Sequence, residues 1–139
     1  MSIFRASLTL AVLSFAVVTM QALAQDAGSV SIQDGVYSED QSKRGSETFA
    51  TTCSACHIND AFGPAFMEGW SGQTLDDMVT FIQDTMPEDN PGGLKRTEYV
   101  AVVAYMLKLN GLKAGATALP SSSADLKKLR VEGPFSAGS

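Results

Sequence analysis

The sequence predicts an all-α domain of three main helices joined by long loops. Apolar residues recur at spacings of three and four in three separate stretches, as on one face of a helix. No stretch shows the strict alternation of a half-buried strand, and no internal repeat is visible. A third observation concerns what is missing. Three helices make a thin core for the 115 residues left once a 24-residue leader is taken from the 139, and loops this long usually serve a function. A further apolar body is expected to fill the middle.

Residues 1–24 read as a secretory signal peptide. Arg5 lies near the start, an apolar run extends from Leu8 to Met20, and "ALA" at 22–24 supplies small residues for cleavage after Ala24. The run is shorter than a spanning helix, so no membrane span is expected in the mature form. Residues 25–37 are polar and read as an extended lead-in. The first helix is expected from about Glu39 to Thr52, with Ser38 and Gln41 as a capping box. It would place Gly45, Phe49 and Cys53 on one face. Residues 58–73, "INDAFGPAFMEGWSGQ", carry three glycines and one proline and read as loop. "TLDDMVTFIQDT" starts a second helix at Thr74, with Leu75, Met78, Val79 and Ile82 as its apolar face. Pro87 stops it, because the residue before a proline avoids helical angles. "TEYVAVVAYMLKLNG" is a third helix, with Tyr99, Val102, Val103 and Met106 on one face and Gly111 at its end. The main domain therefore spans 38–111. Residues 112–139 form a tail with one short helix in "ADLKKLRV".

Loss of the leader removes Arg5 and makes the chain one unit more negative than its full-length −5. With no basic stripe, nucleic acid is not an expected partner. An acidic stretch, Asp76, Asp77, Asp84, Glu88 and Asp89, reads as a solvated face that would favour a basic partner surface.

The chemistry is concentrated in "TTCSACHIND". It holds both cysteines of the chain, Cys53 and Cys56, and its one histidine, His57. A thiol redox pair would need a thioredoxin-like βαβ setting, and no parallel strands are visible. A zinc site would lack a fourth soft ligand. A disulfide would close only one helical turn and remove little entropy from the unfolded chain. Cys-x-x-Cys-His is the attachment signature of c-type haem. Two thioethers fix the porphyrin against a helix turn, and the adjoining imidazole lies under the iron. The sixth ligand then decides function, and with no second histidine the candidates are a methionine sulfur, a lysine nitrogen or an open site. Met78 and Met106 lie on apolar helix faces and read as core. Met86, beside Pro87 at a helix end, is the first candidate and Met67 the second. A His/Met pair raises the reduction potential and fills both axial sites.

At residues 38–111 the chain resembles the class I cytochromes c. "GSETFATTCSACH" is similar to their first helix and haem motif, "GP" at 63–64 to their proximal segment, "TMP" at 85–87 to their methionine loop, and "VVAYMLKLNG" to their last helix. The resemblance implies one covalent haem c, with Cys53 and Cys56 as tethers and His57 and Met86 as iron ligands. It implies that the Pro64 carbonyl orients His57 through Nδ1, and that Gly45, Phe49 and Tyr105 form the crossing of first and last helices. For Trp70 two roles stay open, an indole N–H donated to a haem propionate or core packing beside Phe66. "DGVYSEDQSKRG", the 85–111 segment and the "ALP…ADLKKLRV" tail are similar to cytochrome c subunits of periplasmic quinoprotein (PQQ) alcohol dehydrogenases.

The function expected is therefore a periplasmic electron carrier, not an enzyme. Its donor would be a quinoprotein dehydrogenase, and its acceptor a cytochrome or terminal oxidase of a respiratory chain. It would act as a monomer or as a dehydrogenase subunit. The alternative is a catalytic or gas-binding haem protein with an open sixth site.

Overall fold

A computed structural model describes residues 28–138. The signal peptide expected at 1–24 lies outside the described residues. Among the described residues, five α-helices and one minimal sheet make up the architecture: β1 (Val30–Ser31), α1 (Glu39–Thr48), α2 (Pro64–Glu68), α3 (Leu75–Thr85), α4 (Arg96–Leu109), α5 (Ser123–Leu126) and β2 (Leu129–Arg130). The fold is mostly helical, as expected of a class I cytochrome c. Among the described residues no helix is long and apolar enough to cross a membrane.

Helix α1 starts where the sequence places it. The Ser38 hydroxyl accepts the Gln41 backbone N–H at 3.3 Å. It ends earlier than expected, at Thr48, and widens into a π-helical turn over Phe49–Cys53. Local hydroxyls explain the widening. Thr48, Thr51 and Ser54 each donate to the carbonyl four residues back, at 3.1, 3.0 and 2.7 Å. Such bonds compete for the acceptors of the helical ladder, and π turns of this kind cluster at functional sites.

Helix α3 follows its pattern closely. Leu75, Met78, Val79 and Ile82 are buried. Its N-terminus is closed by a reciprocal cap. Asp77 N–H donates to Thr74 Oγ1 at 3.3 Å, while the Thr74 N–H and hydroxyl donate to Asp77 Oδ2 at 2.9 and 2.7 Å. These two bonds hold the Asp77 carboxyl below the usual carboxylate range. A carboxylate lowered by folding stabilises above its unfolded pKa, and the gain disappears as pH falls through the folded value. Urea denaturation at stepped pH should therefore show wild type losing stability below about the ordinary Asp value of 3.8. Asp77→Ala should show a shallower loss over that window. Equal slopes would remove the cap from the account.

Helix α4 is the central element. Tyr99, Val102, Val103 and Met106 are buried as expected, but so are Val100, Ala101, Ala104 and Leu107. One face was legible because it packs like an ordinary amphipathic helix. The remainder is buried because α1 crosses it, and the crossing is nearly backbone on backbone. A Cβ on Gly45 would stand 1.8 Å from the Ala101 carbonyl oxygen. One turn on, the Phe49 and Tyr105 rings meet at 5.6 Å. Gly111, at φ +74°, ends the helix.

The segments outside the three main helices carry more structure than the sequence suggested. Within 25–37, a short strand and a 3₁₀ turn bury Ile32 and Tyr37. Val30 and Ser31 pair in parallel with Leu129 and Arg130. The Tyr37 hydroxyl, pushed up to about 12 mainly by burial, donates to the Leu112 carbonyl at 2.6 Å. The tail folds back over the body. Gln41 bonds both backbone groups of Leu119, at 3.1 and 2.7 Å, and Val131 exchanges bonds with the Gly72–Gln73 turn at 2.9 Å. Leu119, Leu126, Leu129 and Val131 are buried. The short helix expected in "ADLKKLRV" is only partly present: α5 ends at Leu126, and Leu129–Arg130 form β2 because they pair with Val30–Ser31.

Two expectations are corrected. Residues 58–73 are not plain loop. They hold a 3₁₀ turn at Asn59–Phe62 and then α2, which begins on Pro64. Proline is favoured at a first helical position, where its missing N–H costs nothing. Asp76 is not part of an exposed acidic face. It is 6% exposed, and Arg96 Nη2 and the Ser123 hydroxyl donate to it at 2.5 and 2.6 Å. Partners twenty and forty-seven residues away are not visible in a local pattern.

Candidate functional site

The wide turn after α1 delivers the reactive cluster. His57 and Cys56 N–H groups both donate to the Cys53 carbonyl, at 3.0 and 3.1 Å, so the motif closes a tight turn. Cys53 packs partly buried against the core, and Cys56 is exposed. Burial pushes the Cys53 thiol up. A reactive thiol pair needs a lowered pKa, and the parallel pairing present is two residues long, so thiol–disulfide exchange fits poorly. Among the described residues no three His, Cys, Asp or Glu side chains converge as a metal cluster would. The two sulfurs and the imidazole are therefore not gathered as a zinc-like cluster.

The imidazole, however, opens onto an apolar wall. Ring contacts run unbroken from His57 to Phe62 (5.2 Å), Phe66 (5.2 Å), Trp70 (6.3 Å) and Phe81 on α3 (5.5 Å). Phe62, Phe66, Trp70, Met86 and Leu94 pack on the core but stay only partly buried. Phe81 is 53% exposed and Ile58, beside His57, is 71% exposed. Apolar groups left half open along one run are what a flat apolar group would cover. Thiols, imidazole and this wall together fit a covalently attached haem.

The wall is held from behind. Asn110, 1% exposed, closes α4 and donates through Nδ2 to the Phe62 carbonyl at 2.7 Å. It thereby ties the turn that carries Phe62 against His57 to the end of α4. The residue was not singled out from sequence. Its one signal is an asparagine directly before the terminating Gly111, a usual capping position.

Pro64 occupies the first position of α2, following the extended Gly63. Trp70 contacts Phe66, as one of its two readings expected, and Phe81 as well. Its indole N–H finds no protein acceptor among the described residues. Met67 is fully buried in α2, whereas a loop was expected to carry it. Met86 sits in extended geometry at the end of α3, its N–H donating to Ile82 O at 2.8 Å.

Residues 40–106 match the family model described as cytochrome C oxidase, cbb3-type, subunit III. The matched stretch runs from α1 through most of α4 and contains the thiols, His57, the aromatic run and Met86. No curated protein and no solved structure matches the chain.

Proposed function

We propose that this chain, whose residues 40–106 match the cbb3-type subunit III family model, is a cytochrome c domain that holds covalent haem c and carries single electrons, with His57 and Met86 as the iron's ligands. In this reading Cys53 and Cys56 form the two thioether tethers. The Pro64 carbonyl and the Phe62 ring orient the imidazole, and Trp70 donates its indole N–H to a propionate. The haem iron supplies the redox couple. The chain's own contribution would be to fix the ring, exclude water from it and supply His57 and Met86 as iron ligands.

The observation that carries the ligand assignment is the burial of the methionines. Among the described residues Met67, Met78 and Met106 are at most 2% exposed, committed to core contacts. Met86 is the one left partly open, at the edge of the apolar wall. Its backbone is extended because Pro87 follows, which turns the side chain out of the α3 pattern. A thioether that must reach an inserted ring needs such a place.

Held by His57 and Met86, a haem would pass electrons without taking up substrate, so the reading is of a carrier rather than an enzyme. The leader argues for export to the periplasm. The resemblance of the 34–45 segment and of the tail to quinoprotein-associated cytochromes suggests a quinoprotein dehydrogenase as donor. A cytochrome or terminal oxidase would accept the electron. The chain would act as a monomer or as a dehydrogenase subunit. With Asp76 internal, Asp84, Glu88 and Asp89 remain as the acidic rim beside Met86, favouring partners with a basic face.

Carbon monoxide tests the reading. Reduced protein at neutral pH should leave its spectrum unchanged on exposure to the gas over minutes. Rapid binding would support the open-site alternative and sink the carrier assignment.

A further inference from the structure

The loop that bears Met86 has little to hold it. Between Pro87 and Leu94 the backbone makes only two local turn bonds, Asn90 N–H to Pro87 O at 2.9 Å and Gly93 N–H to Asn90 O at 3.0 Å. Residues 88–93 are exposed. Nothing in that stretch would resist the loop swinging away from the haem. Resistance comes from one side chain of α4. Tyr99, 2% exposed, donates its hydroxyl to the Met86 carbonyl at 2.7 Å. The same oxygen lies 3.4 Å from the Leu94 N–H, which donates to it. A single phenol thus joins both ends of the loop to the central helix. Arg96 braces the base from outside, donating through Nη1 to Gln83 Oε1 at 3.0 Å.

We infer that Tyr99 is the positioning residue that keeps the Met86 loop closed over the iron, and so sets how readily an outside ligand displaces the methionine. The inference rests on the His57/Met86 reading above. From sequence, Tyr99 is one of four residues of an apolar face, and its ring does belong to the core. Its hydroxyl is the part that acts on the loop.

The physical consequence is a population of opened loop. An outside ligand binds the iron only in the fraction of molecules whose methionine has left, so its apparent affinity scales with that fraction. Losing one such hydrogen bond should raise the opened fraction roughly tenfold. Tyr99→Phe keeps the ring and its packing and removes only the hydroxyl. Tyr37→Phe is the matched control. It removes another buried phenol-to-carbonyl bond, to Leu112 at 2.6 Å, just beyond the C-terminal end of α4, whereas Tyr99 lies near its N-terminal end.

The experiment is titration of oxidised holoprotein with imidazole, followed by the Soret shift, for wild type, Tyr99→Phe, Tyr37→Phe and Met86→Ala. Tyr99→Phe should bind imidazole roughly tenfold more tightly than wild type, with Tyr37→Phe unchanged even if its thermal midpoint falls as far. Equal affinity for wild type and Tyr99→Phe, with Met86→Ala binding more tightly, overturns the inference and leaves the ligand reading standing. Equal tightening in both phenylalanine variants also overturns it, since general loosening would then be the cause. Equal affinity for wild type and Met86→Ala overturns the ligand reading itself, and the inference with it.

Discussion

Gly45→Ala is expected to unfold on the order of 10 °C below wild type. Two effects oppose each other at this position. Alanine inside a helix is favoured over glycine by about 1 kcal/mol when nothing else is touched. Were Gly45 only a helix residue, the substitution would stabilise. The added methyl, however, meets the Ala101 carbonyl oxygen at 1.8 Å and its carbon at 2.4 Å. Both are backbone atoms of α4 and have no rotamer to move into. The helices must part, which opens the Phe49–Tyr105 contact at 5.6 Å and the buried Gln41 pairing with Leu119. Overpacking of this kind costs about 1–3 kcal/mol, with rigid sites at the upper end. The clash therefore wins over propensity by about 2 kcal/mol. Calorimetry on holoprotein decides the sign. A midpoint at or above that of wild type would mean that α1 and α4 do not cross at Gly45.

Met86→Ala is expected to change the iron more than the fold. The side chain is partly open and most of the core lies behind it, so the stability lost should stay below the 2–5 kcal/mol typical of a fully buried methionine. The reduction potential should fall, because sulfur opposite histidine raises it. Axial ligands command a span of ~0.8 V, and a drop exceeding ~0.1 V is expected. The reduced variant should also bind carbon monoxide, whereas the wild type should not. Cyclic voltammetry and gas titration measure the two effects. A variant with wild-type potential and no gas binding would return Met86 to ordinary packing.

What was legible in the sequence was what short-range rules determine. The α3 helix, its start at Thr74 and its end at Pro87 each depend on residues within a few positions. So does the cluster of Cys53, Cys56 and His57, whose chemistry lies in adjacency. Met86 stood out because a proline follows it. The Gly45 crossing came from resemblance, and the backbone contact at Ala101 supplies its physical reason. What escaped notice was non-local or masked by a competing signal. Asp76 is internal because Arg96 and Ser123 reach it from other elements. The loop reading of 58–73 weighed three glycines above the helix-starting role of Pro64. The wide turn before Cys53 comes from a run of hydroxyls that an apolar periodicity does not register. Tyr99 was visible as a core ring, but its hydroxyl's partners at Met86 and Leu94 appear only once the loop is folded back on α4. Asn110 likewise needs the Phe62 turn beside it.

The central claim is that Met86 closes the iron. The near-infrared spectrum of the oxidised protein tests it most directly, through the weak sulfur-to-iron band that an axial methionine produces. The account predicts this band in wild type and in Met67→Ala, and its loss in Met86→Ala. A band that survives in Met86→Ala and disappears in Met67→Ala would contradict it.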